Sequence, residues 1–188
     1  EFVLKAVCEK ILYFKDKGYN NVQIAVNISH KNAFKKEFVD TICDIISSYN
    51  LPEGSLQIEM TGNLEISRFE TYKNMFERLK ELGVDIIINN FEINQEALEI
   101  FAELPIDEVK ISSSLLSSEK INEKVFLDLI NLSKDLGYKV IAGRVNDDKK
   151  LVKAITDNAD KIQGNFLFKK MDENLAEEVL ANYGTYRL

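Results

Sequence analysis

No apolar run in this chain approaches the roughly 18 residues that a membrane-spanning helix requires, so no membrane contact is expected from it. Proline occurs only at Pro52 and Pro105, glycine is sparse, and no low-complexity tract interrupts the sequence. Nothing therefore marks a flexible linker, and residues 1–188 are expected to form a single domain. No basic stripe offsets the net charge of -7. A protein tracking a nucleic-acid backbone needs such a stripe to displace counterions, so a nucleic-acid polymer is excluded as partner. The two cysteines, Cys8 and Cys43, lie far apart among apolar neighbours, without CxxC or Cys/His spacing. They are expected to be buried, reduced thiols of a cytoplasmic protein. The lone histidine, His30, follows a strand and is expected to cap or face solvent. No signal peptide opens the chain, and its first residue is Glu1 rather than Met, so the sequence is expected to be a fragment of a longer protein.

What is present is 45% hydrophobic content in 188 residues, enough for one substantial core. The most informative stretch is Leu82 to Asn94, LGVDIIINNFEIN. A helix end at Leu82-Gly83 leads into the β-branched run Val84 to Ile88, and then abruptly into Asn89-Asn90. An apolar run without alternation predicts a strand covered on both faces, as in a parallel sheet flanked by helices. The two asparagines then stand at its C-terminal end.

The same grammar repeats along the chain. Helices are predicted over 2–17, 34–48, 69–82, 95–104, 122–136, 148–158 and 175–183. Strands are predicted over 22–28, 56–60, 84–88, 108–112, 139–142 and 161–163. Gly18, Gly83 and Gly137 act as helix stops. Regular alternation of this kind predicts a parallel sheet wrapped by helices, because parallel neighbours need a crossover and a helix is the usual one. The length is small for a complete eight-stranded barrel, which typically needs about 250 residues. The polar residues at the predicted strand exits are Asn27, Glu59, Asn89, Asn90, Lys110, Arg144 and Gln163.

The phrases VNIS, EMTGN, INNF, LPIDEVKIS, VIAGRV and IQGNFLF stand in the order and spacing of the EAL-domain family of cyclic di-GMP phosphodiesterases. The resemblance runs from the first helix onward. It implies an α/β fold, specifically an incomplete, modified (β/α)8 TIM-like barrel of the EAL type, lacking the first strand that carries the Glu-Ala-Leu motif. An open barrel edge is then expected, filled by a partner copy or by rearranged local segments.

By that resemblance Asn27 matches a metal-ligand Asn, Glu59 a metal-ligand Glu, Lys110 the active-site Lys, and Gln163 the Gln of the QG pair. The departures are as informative. Asn89 and Asn90 stand where the family has two metal-binding aspartates, and Gly62 replaces a Glu. Gly143, Arg144 and Asn146 replace the Glu, Gly and Glu of the AEGVE motif, Ser112 replaces the Asp of KID, and Lys170 replaces a Pro.

The family's reaction uses two hard cations, magnesium or manganese, to make a hydroxide and stabilise charge on phosphate. Each lost carboxylate removes an attraction of roughly 4 kcal/mol at about 4 Å and an effective dielectric near 20. The expectation is therefore a domain that binds no metal cofactor and performs no hydrolysis, with Asn27, Glu59, Asn89 and Asn90 as vestigial metal positions and Lys110 and Gln163 as vestigial active-site groups. Arg144 is expected to fill the vacated metal position and pair with Glu59. Functionally, this predicts a regulatory or protein-interaction module of bacterial cyclic di-GMP signalling, with a protein partner or a second copy. The alternatives are a non-hydrolysing receptor that binds cyclic di-GMP weakly and an active phosphodiesterase.

Overall fold

A computed structural model describes residues 1–61, 65–89, 103–112 and 120–183. Among these residues six strands form one parallel sheet in sequence order: β1 (Ile24–Ser29), β2 (Leu56–Thr61), β3 (Asp85–Asn89), β4 (Glu108–Ser112), β5 (Lys139–Gly143) and β6 (Lys161–Ile162). The helices are α1 (Phe2–Asp16), α2 (His30–Ala33), α3 (Lys36–Ser47), α4 (Phe69–Glu81), α5 (Lys120–Asp135), α6 (Asp148–Thr156) and α7 (Glu173–Tyr183). The predicted alternation is thus the observed one. The helix predicted over 95–104 lies largely outside the described residues. The short helix α2, absent from the prediction, takes the chain directly off β1 and leaves α3 to begin at Lys36.

Each helix buries one stripe. In α1 the buried positions are Leu4, Cys8, Ile11 and Phe14, and in α4 they are Tyr72, Met75, Phe76 and Leu79, the spacing that places side chains on one helix face. The stops work through backbone geometry. Gly83 has φ +73, and with it Val84 N–H reaches Leu79 O at 3.1 Å while Gly83 N–H reaches Lys80 O at 2.9 Å. That pair of bonds is a Schellman motif, which needs a left-handed residue after the cap. Asn158 (φ +64) ends α6 in the same way, a non-glycine stop that glycine spacing does not announce.

Alternation along the strands separates two environments. Leu56, Ile58, Met60, Ile86, Ile88, Val109, Ile111, Val140 and Ala142 join the core that the helices cover. The intervening residues face the other side of the sheet and are mostly polar. Near the strand starts, Lys161 Nζ lies 2.6 Å from Glu108 Oε1, and Gln57 Nε2 donates to the same oxygen at 3.1 Å. Ile87 and Ile141 occupy the middle, by register beside Glu59 and Glu108 and beside Lys110 and Lys161. The sheet is strongly curled: Lys161 Nζ, on the last strand, donates to Gln23 Oε1 at 2.7 Å, one residue before the first. Among the described residues no strand pairs β6 with β1. The inward-facing Ala25 and Asn27 of β1 are accordingly exposed.

Cys8 and Cys43 are free and buried. Burial pushes both thiols above the ordinary cysteine range, which makes them poor nucleophiles. No described helix is long and apolar enough to cross a membrane.

Candidate functional site

The parallel register decides which polar side chains meet. Asn27 stands opposite Glu59, Asn89 opposite Lys110, and Ser112 opposite Gly143. In a parallel array all strands end on the same side, so residues far apart in sequence gather at one rim. The result is a cleft of about 230 Å³ lined by Asn27, Glu59, Asn89, Lys110, Gly143, Arg144 and Gln163. Every expected strand-exit residue within the described part of the chain reaches it. Asn90 and Gly62 lie outside the described residues.

Glu59 is the cleft's only carboxylate among the described residues, and it is 6% exposed. Lys110, 8% exposed, forms an ion pair with its Oε2. Asn89 Nδ2 donates to its Oε1 at 2.6 Å. Both oxygens of this carboxylate thus carry a donor, one from β4 and one from β3. The Arg144 guanidinium expected on Glu59 belongs to a residue that lines the same cleft, but the donors holding this carboxylate are Lys110 and Asn89.

Lys110 can lie as it does because of Gly143. A Cβ built there would come within 3.2 Å of Lys110 Cγ and 3.4 Å of Cδ. The lysine stem therefore occupies space that a longer side chain at 143 would contest. Gly164 is more constrained still, since a Cβ would meet Val145 O at 1.9 Å. That contact locks the loop after β6 against the end of β5, together with Val145 N–H donating to Gln163 O at 3.0 Å. Arg144 adopts φ +59, a left-handed conformation that an L residue takes at a cost of about 1–2 kcal/mol.

A second cleft, of about 460 Å³, opens beside the first and shares Arg144 and Gln163 with it. Asn146, Gly164, Asn165, Phe168, Lys169 and Lys170 complete its lining. The strand-exit pattern did not single out Asn165, Phe168 or Lys169, because they follow a strand of only two residues and lie in irregular chain. His30 Nδ1 is 3.2 Å from Thr61 O and its ring packs edge-on against Phe34; it ties the first two strand exits together and does not line either cleft.

A parallel sheet covered by helices, with polar side chains from all six strands or their exits gathered at one rim, defines a TIM-like barrel domain whose site is at the strand ends. The chain belongs to the EAL domain family, whose model matches residues 1–170. It is 24% identical over 183 residues to the signaling protein YkoW of Bacillus subtilis, and 23% identical over 186 residues to the cyclic di-GMP phosphodiesterase NbdA of Pseudomonas aeruginosa. These alignments cover 96% and 97% of this chain but only 23% and 24% of the relatives' lengths. Among solved structures, the EAL domain of Mycobacterium smegmatis DcpA superposes with a TM-score of 0.86 at 23% identity, covering 96% of this chain and 83% of the other. The PaMucR phosphodiesterase in complex with c-di-GMP gives 0.85 at 22% identity, with 93% and 72% covered. The fold class expected from the sequence is therefore the observed one.

Proposed function

We propose that this domain is a non-hydrolysing EAL domain that serves cyclic di-GMP signalling as a regulatory, protein-interaction module. One observation carries the reading: the one carboxylate that lines the strand-exit cleft among the described residues, Glu59, is already bonded through both oxygens to Lys110 and Asn89. Two divalent cations of the magnesium type need several anionic oxygens, and this donor set does not fit them. No group of three His, Cys, Asp or Glu side chains able to hold a metal occurs among the described residues. A cation entering the cleft would have to displace the Lys110 ammonium from Glu59 and would also face Arg144.

Support for an output through protein contact comes from apolar side chains left on the surface. Val152 and Ile155 stand three residues apart on α6 and are about 60% exposed, and Phe166, Leu167 and Phe168 are exposed in succession after β6. A specific observation also favours nucleotide binding without cleavage as a second reading. Asn27, Asn89, Gln163, Lys110 and Arg144 line the cleft with amides and cations, groups that hydrogen-bond a phosphodiester and a base edge without a metal.

The deciding experiment is incubation of the domain with cyclic di-GMP in manganese and in magnesium, with the linear dinucleotide followed by chromatography. No product above the buffer blank is expected. Product formation that disappears on Glu59→Gln would overturn the reading and return the domain to the hydrolases.

A further inference from the structure

Helix α7 is held on the domain mainly by charge. None of residues 173–182 is buried, and none joins or packs on the hydrophobic core. Its contacts with α1 are polar instead. Lys10 forms an ion pair with Glu173, Tyr13 Oη donates to Glu177 Oε1 and Oε2 at 3.0 Å, and Lys17 Nζ stands 3.5 Å from Glu177 Oε1. Both ammonium groups also sit against the Tyr13 ring, 4.2 Å from its centre for Lys10 and 5.3 Å for Lys17. The Glu173 side chain is 65% exposed, so its pair is screened by solvent and salt and weak. A helix secured by such pairs and by half-buried Ala176, Val179 and Leu180 leaves its seat far more readily than one anchored in the core.

The seat is longer than its occupant uses. Val3, Ala6, Lys10, Tyr13 and Lys17 follow one another at intervals of three or four residues, which places them on one face of α1, distinct from the buried Leu4, Cys8, Ile11 and Phe14. Glu173 meets Lys10, and Glu177, one helical turn later, meets Tyr13 and Lys17. The start of α7 therefore runs in the same direction as α1, from Lys10 onward. Ahead of Lys10 the face continues as exposed Ala6 and Val3, beside Phe2; Val3 is 62% exposed and Phe2 85%. Two cations around an aromatic ring, continued by bare apolar side chains at helical spacing, suit an amphipathic helix with an acidic end.

We propose that this face of α1 is the docking site for an acidic amphipathic helix of a partner protein, and that α7 is an internal stand-in displaced when the partner binds. The partner helix carries two carboxylates four residues apart, as α7 does at Glu173 and Glu177. It differs from α7 in placing apolar residues before them, over Ala6 and Val3. Burial of that apolar surface is a gain α7 does not make, and it lets a separate helix compete with one tethered at high effective concentration. The inference rests on the protein-interaction part of the proposed function and names the partner's chemistry; it involves no residue of the strand-exit cleft.

The test is fluorescence anisotropy of the whole chain with a labelled alanine-based helical peptide. The peptide carries two glutamates four residues apart, with leucines four and seven residues before the first of them. Saturable binding is expected, weakened by added salt and weakened about tenfold or more when both glutamates are replaced by glutamine. Glu173→Gln with Glu177→Gln removes the internal competitor and is expected to tighten peptide binding by about tenfold, as the competent state becomes the populated one. A helix with only a structural role would give no such gain. Val3→Gln is expected to weaken the peptide by about fivefold while leaving a leucine-free version unaffected; circular dichroism verifies that each variant folds. Absence of saturable binding to the parent and to the Glu173→Gln/Glu177→Gln variant, equal affinity for the glutamine peptide, or no gain on releasing α7 would overturn the proposal. Hydrolysis is assayed separately in manganese, so peptide binding with product formation sinks only the non-hydrolysing reading, and neither binding nor product sinks only this site.

Discussion

Lys110 and Glu59 form an ion pair across two intervening strand spacings, with both side chains nearly excluded from solvent. A buried pair of this kind stabilises less than its Coulomb energy suggests, because both charges were desolvated to make it. Removing one partner alone is a different matter. Lys110→Met leaves the Glu59 carboxylate buried with only Asn89 as donor, and is expected to cost roughly 3 kcal/mol in urea unfolding. The double variant Glu59→Gln/Lys110→Met is expected to recover most of that loss. A single variant as stable as the parent would show that Glu59 is not held as a charge by Lys110.

Manganese is expected to leave the melting temperature of the parent unchanged, because ligand-linked stabilisation requires binding to the folded state. Restoring carboxylates by Asn89→Asp, Asn90→Asp and Gly143→Glu is expected to create a saturable manganese-dependent rise in Tm. That rise should come with a lower starting stability, since any side chain at 143 meets the Lys110 stem. Differential scanning calorimetry with and without the metal measures both effects.

Relief of the left-handed backbone gives a prediction of opposite sign. Arg144→Gly is expected to stabilise the fold by about 0.5–1 kcal/mol, the strain of an L residue at positive φ less the entropy of glycine. Chemical unfolding of the two proteins at equal ionic strength measures it.

Gly164→Ala places a methyl group where Val145 O already stands at 1.9 Å. Backbone cannot yield as a flexible side chain can, so a loss of about 3 kcal/mol or more is expected, together with separation of the loop after β6 from β5. Thermal unfolding and protease sensitivity near residue 165 report the change.

Asp147 caps α6 by accepting from Lys150 N–H at 2.9 Å, and that backbone bond holds its carboxyl below the ordinary aspartate range. A lowered pKa stabilises the fold above the unfolded value of about 3.9, and the contribution is lost as the pH falls through the lower folded value. Asp147→Ala is therefore expected to lower Tm at neutral pH and to lower it progressively less as the pH falls below the unfolded value. Thermal scans across that interval test the sign.

The run Val84 to Ile88 showed how far one-dimensional pattern reaches. It predicted a strand covered on both faces, and Ile86 and Ile88 do meet the helices while Ile87 lies inside the curl of the sheet. Gly18, Gly83 and Gly137 were legible as helix stops because a positive φ selects glycine. Asn158 and the helix α2 were not, since nothing in their local composition distinguishes them from turns.

Among the site residues, Asn27, Glu59, Asn89, Lys110, Arg144 and Gln163 were legible as strand exits, and all six line one cleft. Their pairing was not. The sequence offered Arg144 as a partner of Glu59 and did not offer Asn89 and Lys110, which the register places opposite each other on β3 and β4, close enough for both to reach that carboxylate.

Local preference and periodicity by themselves determined the alternation of elements, their stops, and the polar residues at the strand ends, because those properties depend on neighbours in the chain. The company each charge keeps was decided only by the parallel register and the curl of the sheet. Those bring Lys110 to Glu59, and Lys169 and Lys170 beside Arg144, across separations that no local rule spans.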